Sequence, residues 1–382
     1  MRASRRHWLH VAACLALAGL AACPDGGHAN APNTASERIA APASGAAKTA
    51  PAPATPAPSV PPMPPFQRTR ELMGTIMSIT VVGVPETQAA PAVDAAFAKI
   101  AALEDVLSEW RPDSEISRIN AAAGGAPVKV GPDTIAVVKA GVEVSAWSEG
   151  AFDLSWAALR GLYLFQQGQE HVPTPAEIKE RIALIDYKEI VLDEKASTVA
   201  LRRAGMKLGT GGIAKGYALD RAATVLKLAG IENFMIFGGG QVHVGGKRDG
   251  RPWRIGIQHP RRDDYFAFLE STGGSVSTSG DYEHAFVKDG RRWHHIIDTR
   301  TGYPVDHTAS VTLVAESGLY ADALSTAVFV LGPERALARL ARAPGGKAGV
   351  VIVGADMRFY TGSDMKEQLV MKTQLVDGKL PL

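Results

Sequence analysis

Cysteine is almost absent. The 382-residue chain holds two, Cys14 and Cys23, so nothing after residue 23 can build a disulfide framework or a cysteine-based zinc site. Neither sign of charge dominates. Lys and Arg total 41 against 39 Asp and Glu, a net charge of +2, with no basic excess of the kind that draws nucleic acid. Repeated long apolar runs are missing too, which excludes a multi-pass membrane protein. Disorder throughout is excluded in turn, because 46% of the residues are hydrophobic. That is enough to bury a sizeable core in one large or two ordinary domains.

What is present begins with a leader. Arg2, Arg5 and Arg6 precede an apolar run from Trp8 to Ala22, a charged segment followed by a stretch too short for an ordinary transmembrane helix. Leu20-Ala21-Ala22-Cys23 resembles a lipobox, which predicts cleavage after residue 22 and acylation of Cys23; a plain secretory signal is the alternative. Two or more acyl chains would anchor the chain stably, on a bacterial envelope membrane facing the periplasm or exterior. Residues 23–65 follow as a tether. From Pro24 to Pro65 there are eleven of the 24 prolines and twelve alanines, too little apolar surface to offset the entropy of ordering and a composition that favours an extended spacer.

The folded body is expected over 66–382. Thr75 to Val82 is β-branched enough for a strand. Val93, Phe97, Ile100, Leu103 and Leu107 recur at helical spacing, and Gly131 to Trp147 predicts a second helix with Ile135, Val138, Val142 and Ala146 inward. Thr174-Pro175-Ala176-Glu177 carries the N-cap, N1 proline and N3 glutamate of a helix start. Strand-like runs lie at 187–192, 197–201, 233–237, 253–257, 265–270, 275–278, 292–297 and 309–315. Helices are expected at 215–229 and 321–331, and a closing strand pair at 348–353 with 357–361. Many strands with few βαβ alternations predict an α+β body of mixed or antiparallel strands.

Several clusters could carry chemistry. Gly209-Thr210-Gly211-Gly212-Ile213-Ala214-Lys215-Gly216 opens a helix, where glycines and a helix N-terminus suit a phosphate and Lys215 adds a charge; a structural loop is the alternative. Gly238-Gly239-Gly240 after a strand marks a close approach or a tight turn. Of His294 and His295, only one can face a site, because neighbours on a strand point to opposite sides. Asp322 and Thr326, four apart on a helix, share a face and would suit a hard cation such as Mg²⁺. The plainer reading is a helix-start Asp and a Thr bonded back to the helix carbonyl.

The order of these segments is more specific than any of them singly. Met73-Gly74-Thr75, Ser108-Glu109-Trp110-Arg111-Pro112-Asp113-Ser114-Glu115, Gly150-Ala151-Phe152-Asp153, Gly211 to Asp220, Ser279-Gly280-Asp281-Tyr282, His295-Ile296-Ile297-Asp298 and Ala321 to Thr326 run co-linearly over about 70 to 362. Together they resemble the ApbE family of FAD:protein FMN transferases. The resemblance implies a transferase that splits FAD, passes FMN to a Ser or Thr hydroxyl of a partner and releases AMP. It implies FAD contacts at Met73, Trp110, Ala151, Phe152, Asp153, Gly209, Lys215 and Ile297, with Mg²⁺ held by the Gly212 carbonyl, Asp322 and Thr326. His295 is then the base for the acceptor hydroxyl, with Asp322 the second catalytic residue. The acceptor would be a flavoprotein subunit of an extracytoplasmic or membrane redox complex. These assignments require Asp322 and Gly212 to meet in the fold.

Departures accompany the likeness. Where many members read Asp-Leu-Gly-Gly-Ile-Ala-Lys-Gly, the Asp position is Gly209. Thr299 stands in place of a usual Pro, and Leu154-Ser155 in place of Pro-Thr. Two alternatives share the same site chemistry: a Mg²⁺-dependent pyrophosphatase yielding FMN and AMP, and a lipoprotein that binds FAD without catalysis.

Overall fold

A computed structural model describes residues 63–362, 365 and 367–382. The leader, Cys23 and nearly all of the expected tether lie outside the described residues. A single compact unit, Val60–Leu382, contains them. In chain order its elements are β1 Phe66–Leu72, β2 Thr75–Val81, α1 Glu86–Leu107, α2 Glu115–Ala121, β3 Val128–Lys129, α3 Pro132–Trp147, α4 Pro175–Ile182, β4 Ile190–Asp193 and β5 Thr198–Leu201. There follow α5 Ala214–Leu228, β6 Phe234–Gly238, β7 Gln241–Gly245, β8 Trp253–Gln258, β9 Tyr265–Ser271, β10 Gly273–Gly280, β11 Ala285–Lys288 and β12 Arg291–His294. The last are β13 Thr308–Ala315, α6 Gly318–Leu331, α7 Pro333–Arg339, β14 Ala348–Gly354, β15 Phe359–Thr361 and β16 Leu369–Met371.

Eight strands form one sheet in the order β1-β2-β6-β7-β10-β13-β14-β15, every neighbouring pair antiparallel. Alternation along these strands sends side chains to two different cores. Phe234 and Ile236 of β6, and Val350 and Ile352 of β14, pack under the helices. Their neighbours Met235, Phe237, Val351 and Val353 pack against the three-stranded sheet β16-β9-β8. Helix α6 lies in the helical core and is almost wholly buried, with Asp322, Ser325 and Thr326 its only polar turn among apolar neighbours. Leu324, Val328 and Phe329 are each 0–1% exposed, and such burial contributes about 1.5–3 kcal/mol per side chain.

The expected elements are present with five differences. The strands expected over 187–192 and 292–297 are strand only from Ile190, after a 3-10 turn at Tyr187–Glu189, and only to His294. Helix α3 is rotated from the face read off its spacing: Ala146 is exposed and Ile135 and Val142 half-buried, while Val137, Gly141 and Val144 face inward. Gly141 sets this rotation, since a Cβ there would lie 2.2 Å from Leu154 Cδ1. Two short helices, α2 and α7, also go beyond the expectation. So do the strands β1, β3, β7, β11 and β16, most of them short or polar. The closing pair β14–β15 is not a separate hairpin but one edge of the large sheet.

Two glycines set how α5 meets α6. A Cβ on Gly216 would stand 1.9 Å from Gly318 O, and one on Gly318 2.5 Å from Gly216 O, so the helix starts touch backbone to backbone. Asp220, one turn into α5, completes the joint. Its carboxylate accepts from Gly318 N (2.7 Å), Leu319 N (3.1 Å) and Ser317 Oγ (2.8 Å), satisfying amides that the start of α6 leaves unbonded. Gly216→Ala should therefore destabilise the fold by about 3 kcal/mol, the upper range for overpacking. A urea midpoint equal to wild type would reject this account of the helix crossing.

Candidate functional site

The glycine-rich loop before α5 is tied down from three sides. Thr210 donates its N–H to Glu109 Oε2 (2.9 Å) and its hydroxyl to Leu107 O (2.7 Å). Asn120 brackets Leu208, with Nδ2 donating to its carbonyl (3.0 Å) and Oδ1 accepting from its N–H (2.6 Å). Asn120 stands on α2, which Ser114 caps by accepting from Ser117 N (2.9 Å). The segment 108–120 thus acts chiefly as the scaffold of the loop.

Against that loop stands α6. Asp322 Oδ2 accepts from Gly216 N (3.0 Å), and Gly212 faces Thr326: a Cβ built there would be 3.5 Å from Thr326 Oγ1 and 3.4 Å from Phe152 Cε2. Thr326, Gly212 and Phe152 thus meet, and Asp322, one turn before Thr326 on α6, is held to the start of α5 just beyond the glycine loop. Asp322 is 4% exposed. Burial pushes its carboxyl pKa up, opposed by the Lys215 ammonium, the Gly216 N–H and the Gln241 amide. Beneath it runs a buried polar chain. Gln241 Nε2 donates to Ser277 Oγ (2.8 Å), which meets Ser325 Oγ (3.0 Å), which in turn donates to Asp322 O (2.8 Å). Gln241 Oε1 is buried with no hydrogen-bond partner.

Lys215 and two hairpin turns form the adjoining rim. Nζ of Lys215 donates to Gly211 O (2.7 Å). The triple glycine is a two-residue turn between β6 and β7, with Gly239 and Gly240 at φ +54° and +82°, the pairing of positive angles that a tight hairpin needs. It passes so close that a Cβ on Gly239 would lie 3.3 Å from Lys215 Cδ and 3.1 Å from Thr75 Cγ2. Met73 and Gly74 make the equivalent turn between β1 and β2, at φ +52° and +70°. For Met73 that angle is a strained one.

Register separates the two histidines. His294 ends β12 and turns inward, 1% exposed, with Nε2 bonded to Val305 O (2.6 Å) and its ring 5.8 Å from Phe329. His295 takes the opposite side and is exposed as a residue. Protein packed around its ring pushes its pKa down to about 3, by burial first and then by His284, His294 and Lys215. An imidazole in that condition is unprotonated at neutral pH and able to accept a proton.

Around Gly209 four side chains interlock. The indole of Trp156 fills the space where a side chain at 209 would go: a Cβ there would meet Trp156 Nε1 at 2.5 Å and Ala157 Cβ at 2.9 Å. Nε1 also donates to Gly209 O (3.0 Å). Arg160 packs its guanidinium over Trp110 (4.4 Å) and Trp156 (5.6 Å) and pairs with Glu109. Glu109, its side chain 6% exposed, has its pKa raised by burial, with Arg160 opposing. One face of Trp110 is thus covered by Arg160 while the residue as a whole stays 74% exposed. A carboxylate stands beside the glycine loop, then, but it comes from Glu109 and not from residue 209.

Two expected contacts lie elsewhere in purpose. The Asp153 carboxylate is fully engaged inside the protein, accepting from Ser155 N (2.8 Å), Ser155 Oγ (2.6 Å) and Tyr187 N (2.8 Å). It fixes the loop that carries Ala151 and Phe152, both buried. Ile297 is half-buried among Tyr163, Trp293 and Tyr303. Conversely, Gln241, Arg160, Trp156 and His284 belong to the site surroundings without having been singled out. A polar residue opening the apolar run of β7 was the one visible signal for Gln241.

No group of three or more His, Cys, Asp or Glu side chains capable of holding a metal occurs among the described residues. A hard cation would instead find one carboxylate, one hydroxyl and a backbone carbonyl, an all-oxygen set of the kind Mg²⁺ takes while keeping some of its water. The residues present fit that ion. A cavity of about 940 Å³ lies at the far end of β7 and β10, next to His243, Gly274 and Ser317, and none of Gly212, Lys215, His295, Asp322 or Thr326 lines it.

Residues 73–351 match the model of the ApbE family. A Klebsiella pneumoniae protein named FAD:protein FMN transferase is 38% identical over 247 residues, 64% of this chain and 77% of its own length. A Treponema pallidum protein of the same name is 31% identical over 336 residues, 83% and 91% of the two chains. Among solved structures, the ApbE protein of Thermotoga maritima superposes with a TM-score of 0.73 at 32% identity, covering 80% of this chain and 99% of that one. The flavin transferase ApbE from Vibrio cholerae gives 0.68 at 31% identity, covering 80% and 100%.

Gly209 and Trp156 should behave as one unit. Gly209→Ala alone should cost about 1–3 kcal/mol. In the double variant Gly209→Ala/Trp156→Leu, the combined loss should fall short of the summed single losses by about 1 kcal/mol or more. Strictly additive denaturation energies would show that the indole does not occupy that space.

Proposed function

Because the chain belongs to the ApbE family, we propose that it transfers the FMN half of FAD to a hydroxyl of an acceptor protein and releases AMP. The observation that carries this reading is the packing of α6, with Asp322 bonded to Gly216 and Thr326 beside Gly212, against the loop that carries Lys215, with an unprotonated His295 nearby. In the reaction the acceptor oxygen bonds to the FMN phosphorus as the P–O bond to the AMP phosphate breaks. The hydroxyl proton goes to His295, and AMP departs as an anion. Such a transfer asks for positioning and charge compensation more than for covalent help from the enzyme.

Each residue has a definite part. Asp322, Thr326 and the Gly212 carbonyl hold Mg²⁺. When bound, the ion offsets negative charge on the pyrophosphate. Lys215 contributes a further positive charge at the start of α5, where the helix already favours an anion. Met73, Phe152 and the open face of Trp110 receive the nucleotide, Trp110 by stacking. Glu109 supplies the carboxylate that position 209 lacks. His295 is the general base.

The leader extends the proposal to place. Acylated at Cys23, the chain would work tethered to a bacterial envelope membrane, facing the periplasm or exterior. Its acceptor would be a flavoprotein subunit of an extracytoplasmic or membrane redox complex.

Asp322→Ala should lower transfer by about a hundredfold or more, the scale of losing one charge-stabilising group. The fold should persist, since the loss leaves the Gly216 N–H and Gln241 amide without that acceptor, about 1–3 kcal/mol, while Lys215 keeps its bond to Gly211 O. Incubation with FAD, Mg²⁺ and an acceptor, read by mass spectrometry of the acceptor, checks this. An Asp322→Ala protein that flavinylates at wild-type rate refutes the cation seat. Free FMN and AMP with no covalent flavin, from the wild type, would make the enzyme a hydrolase instead.

A further inference from the structure

The two-stranded ribbon β11–β12 carries a second histidine. Ala285 pairs with His294, and one step outward His295 N donates to His284 O (3.1 Å). His284 and His295 are therefore opposed across the ribbon. His284 lies just before β11 and His295 just after β12, and the two side chains share one side of the ribbon's end. Their rings touch edge to face, with centroids 5.2 Å apart and planes at 86°. Both residues are exposed, so neither is there to fill the core.

This contact has two physical effects. A flat ring against His295 removes rotamers it would otherwise sample, and a base held in one orientation saves reorganisation at the moment of proton transfer. Two imidazoles at that distance also resist carrying two positive charges. The other charged or titratable groups facing His295 are Lys215 on α5 and His294 on β12. Lys215 and a protonated His294 would likewise oppose a proton on His295. His294 is fixed in the core by Val305 and Phe329, and Lys215 by Gly211 O. Of the three, His284 alone lies in ring contact with His295 from an exposed position.

We propose that His284 is a positioning residue for the transfer: its ring orients His295 and makes a second positive charge there costly. The proposal rests on His295 being the base, and its test separates the two. Wild type, His284→Ala and His284→Phe are compared in two ways: NMR titration of the His295 imidazole, and the pH profile of kcat for FMN transfer to an acceptor.

In wild type the His295 signals should titrate below the ordinary histidine value of about 6.5, so the acid limb of kcat lies at lower pH than for a free imidazole. Both variants should move the His295 titration and the acid limb to higher pH, because each deletes a neighbouring charge. His284→Ala should also lose kcat about tenfold at its plateau, with the KM for FAD unchanged. His284→Phe, which restores a flat ring without a charge, should recover most of that plateau. Unchanged titration and unchanged kcat in both variants overturn the proposal. If the variants shift the titration of His295 while the wild-type protein transfers no FMN, the pair is real and the reading of His295 as a transferase base falls.

Discussion

The architecture of the site depends on one contact, the backbone-to-backbone meeting of α5 and α6 at Gly216 and Gly318. A side chain on either glycine would hold the helices apart, and the Gly216 N–H could then no longer reach Asp322. Everything anionic or cation-seeking in the site follows from that approach: the glycine loop ahead of α5, the carboxylate and hydroxyl one turn apart on α6, and Lys215 between them. Asp220 secures the joint from the other side by satisfying the first amides of α6. The same helix pair thus uses one carboxylate to hold itself together and leaves another available for a ligand.

Around this joint the protein divides its labour. The large sheet separates a helical core from a smaller core beneath β16-β9-β8, and the site residues come from helices α5 and α6 and from turns at the ends of strands. Rigid elements end there in glycine-rich turns, at 73–74 and 239–240, whose tightness brings backbone close to Lys215. The expected base comes from a ribbon of its own, β11–β12, attached through the buried ring of His294. The residues proposed to seat a cation and to act as base thus come from structurally separate parts of the chain.

Much of this was legible in the chain beforehand, and the misses have physical reasons. The pairing of Asp322 with Thr326 follows from helical spacing, and the capping box at Thr174 is present with both of its bonds. Hydrophobic spacing points α3 the wrong way because it counts side chains, whereas the contact there is a glycine receiving Leu154. Strands such as β7 and β11 are too short for alternation to register, and β1 is an exposed edge whose sequence is largely polar. The choice between His294 and His295 needed the ribbon register, which alternation alone leaves open. Gly209 announces a departure from the family pattern, but the side chain filling its space is Trp156, 53 residues earlier, and the carboxylate beside the loop, Glu109, is a further 47 residues before that. Tertiary neighbours of this kind leave no trace in local periodicity.

The position of Asp322 has a thermodynamic corollary. A carboxylate enclosed within the core raises the free energy of the native state, and whatever satisfies that charge lowers it. A ligand that recognised only the native form would therefore stabilise it by mass action, in proportion to the logarithm of its concentration once that exceeds Kd. Heat tolerance of such a protein would then not be a constant of its sequence. It would rise with the supply of whatever occupies that carboxylate, and a starved compartment would hold the same polypeptide closer to its melting point than a replete one.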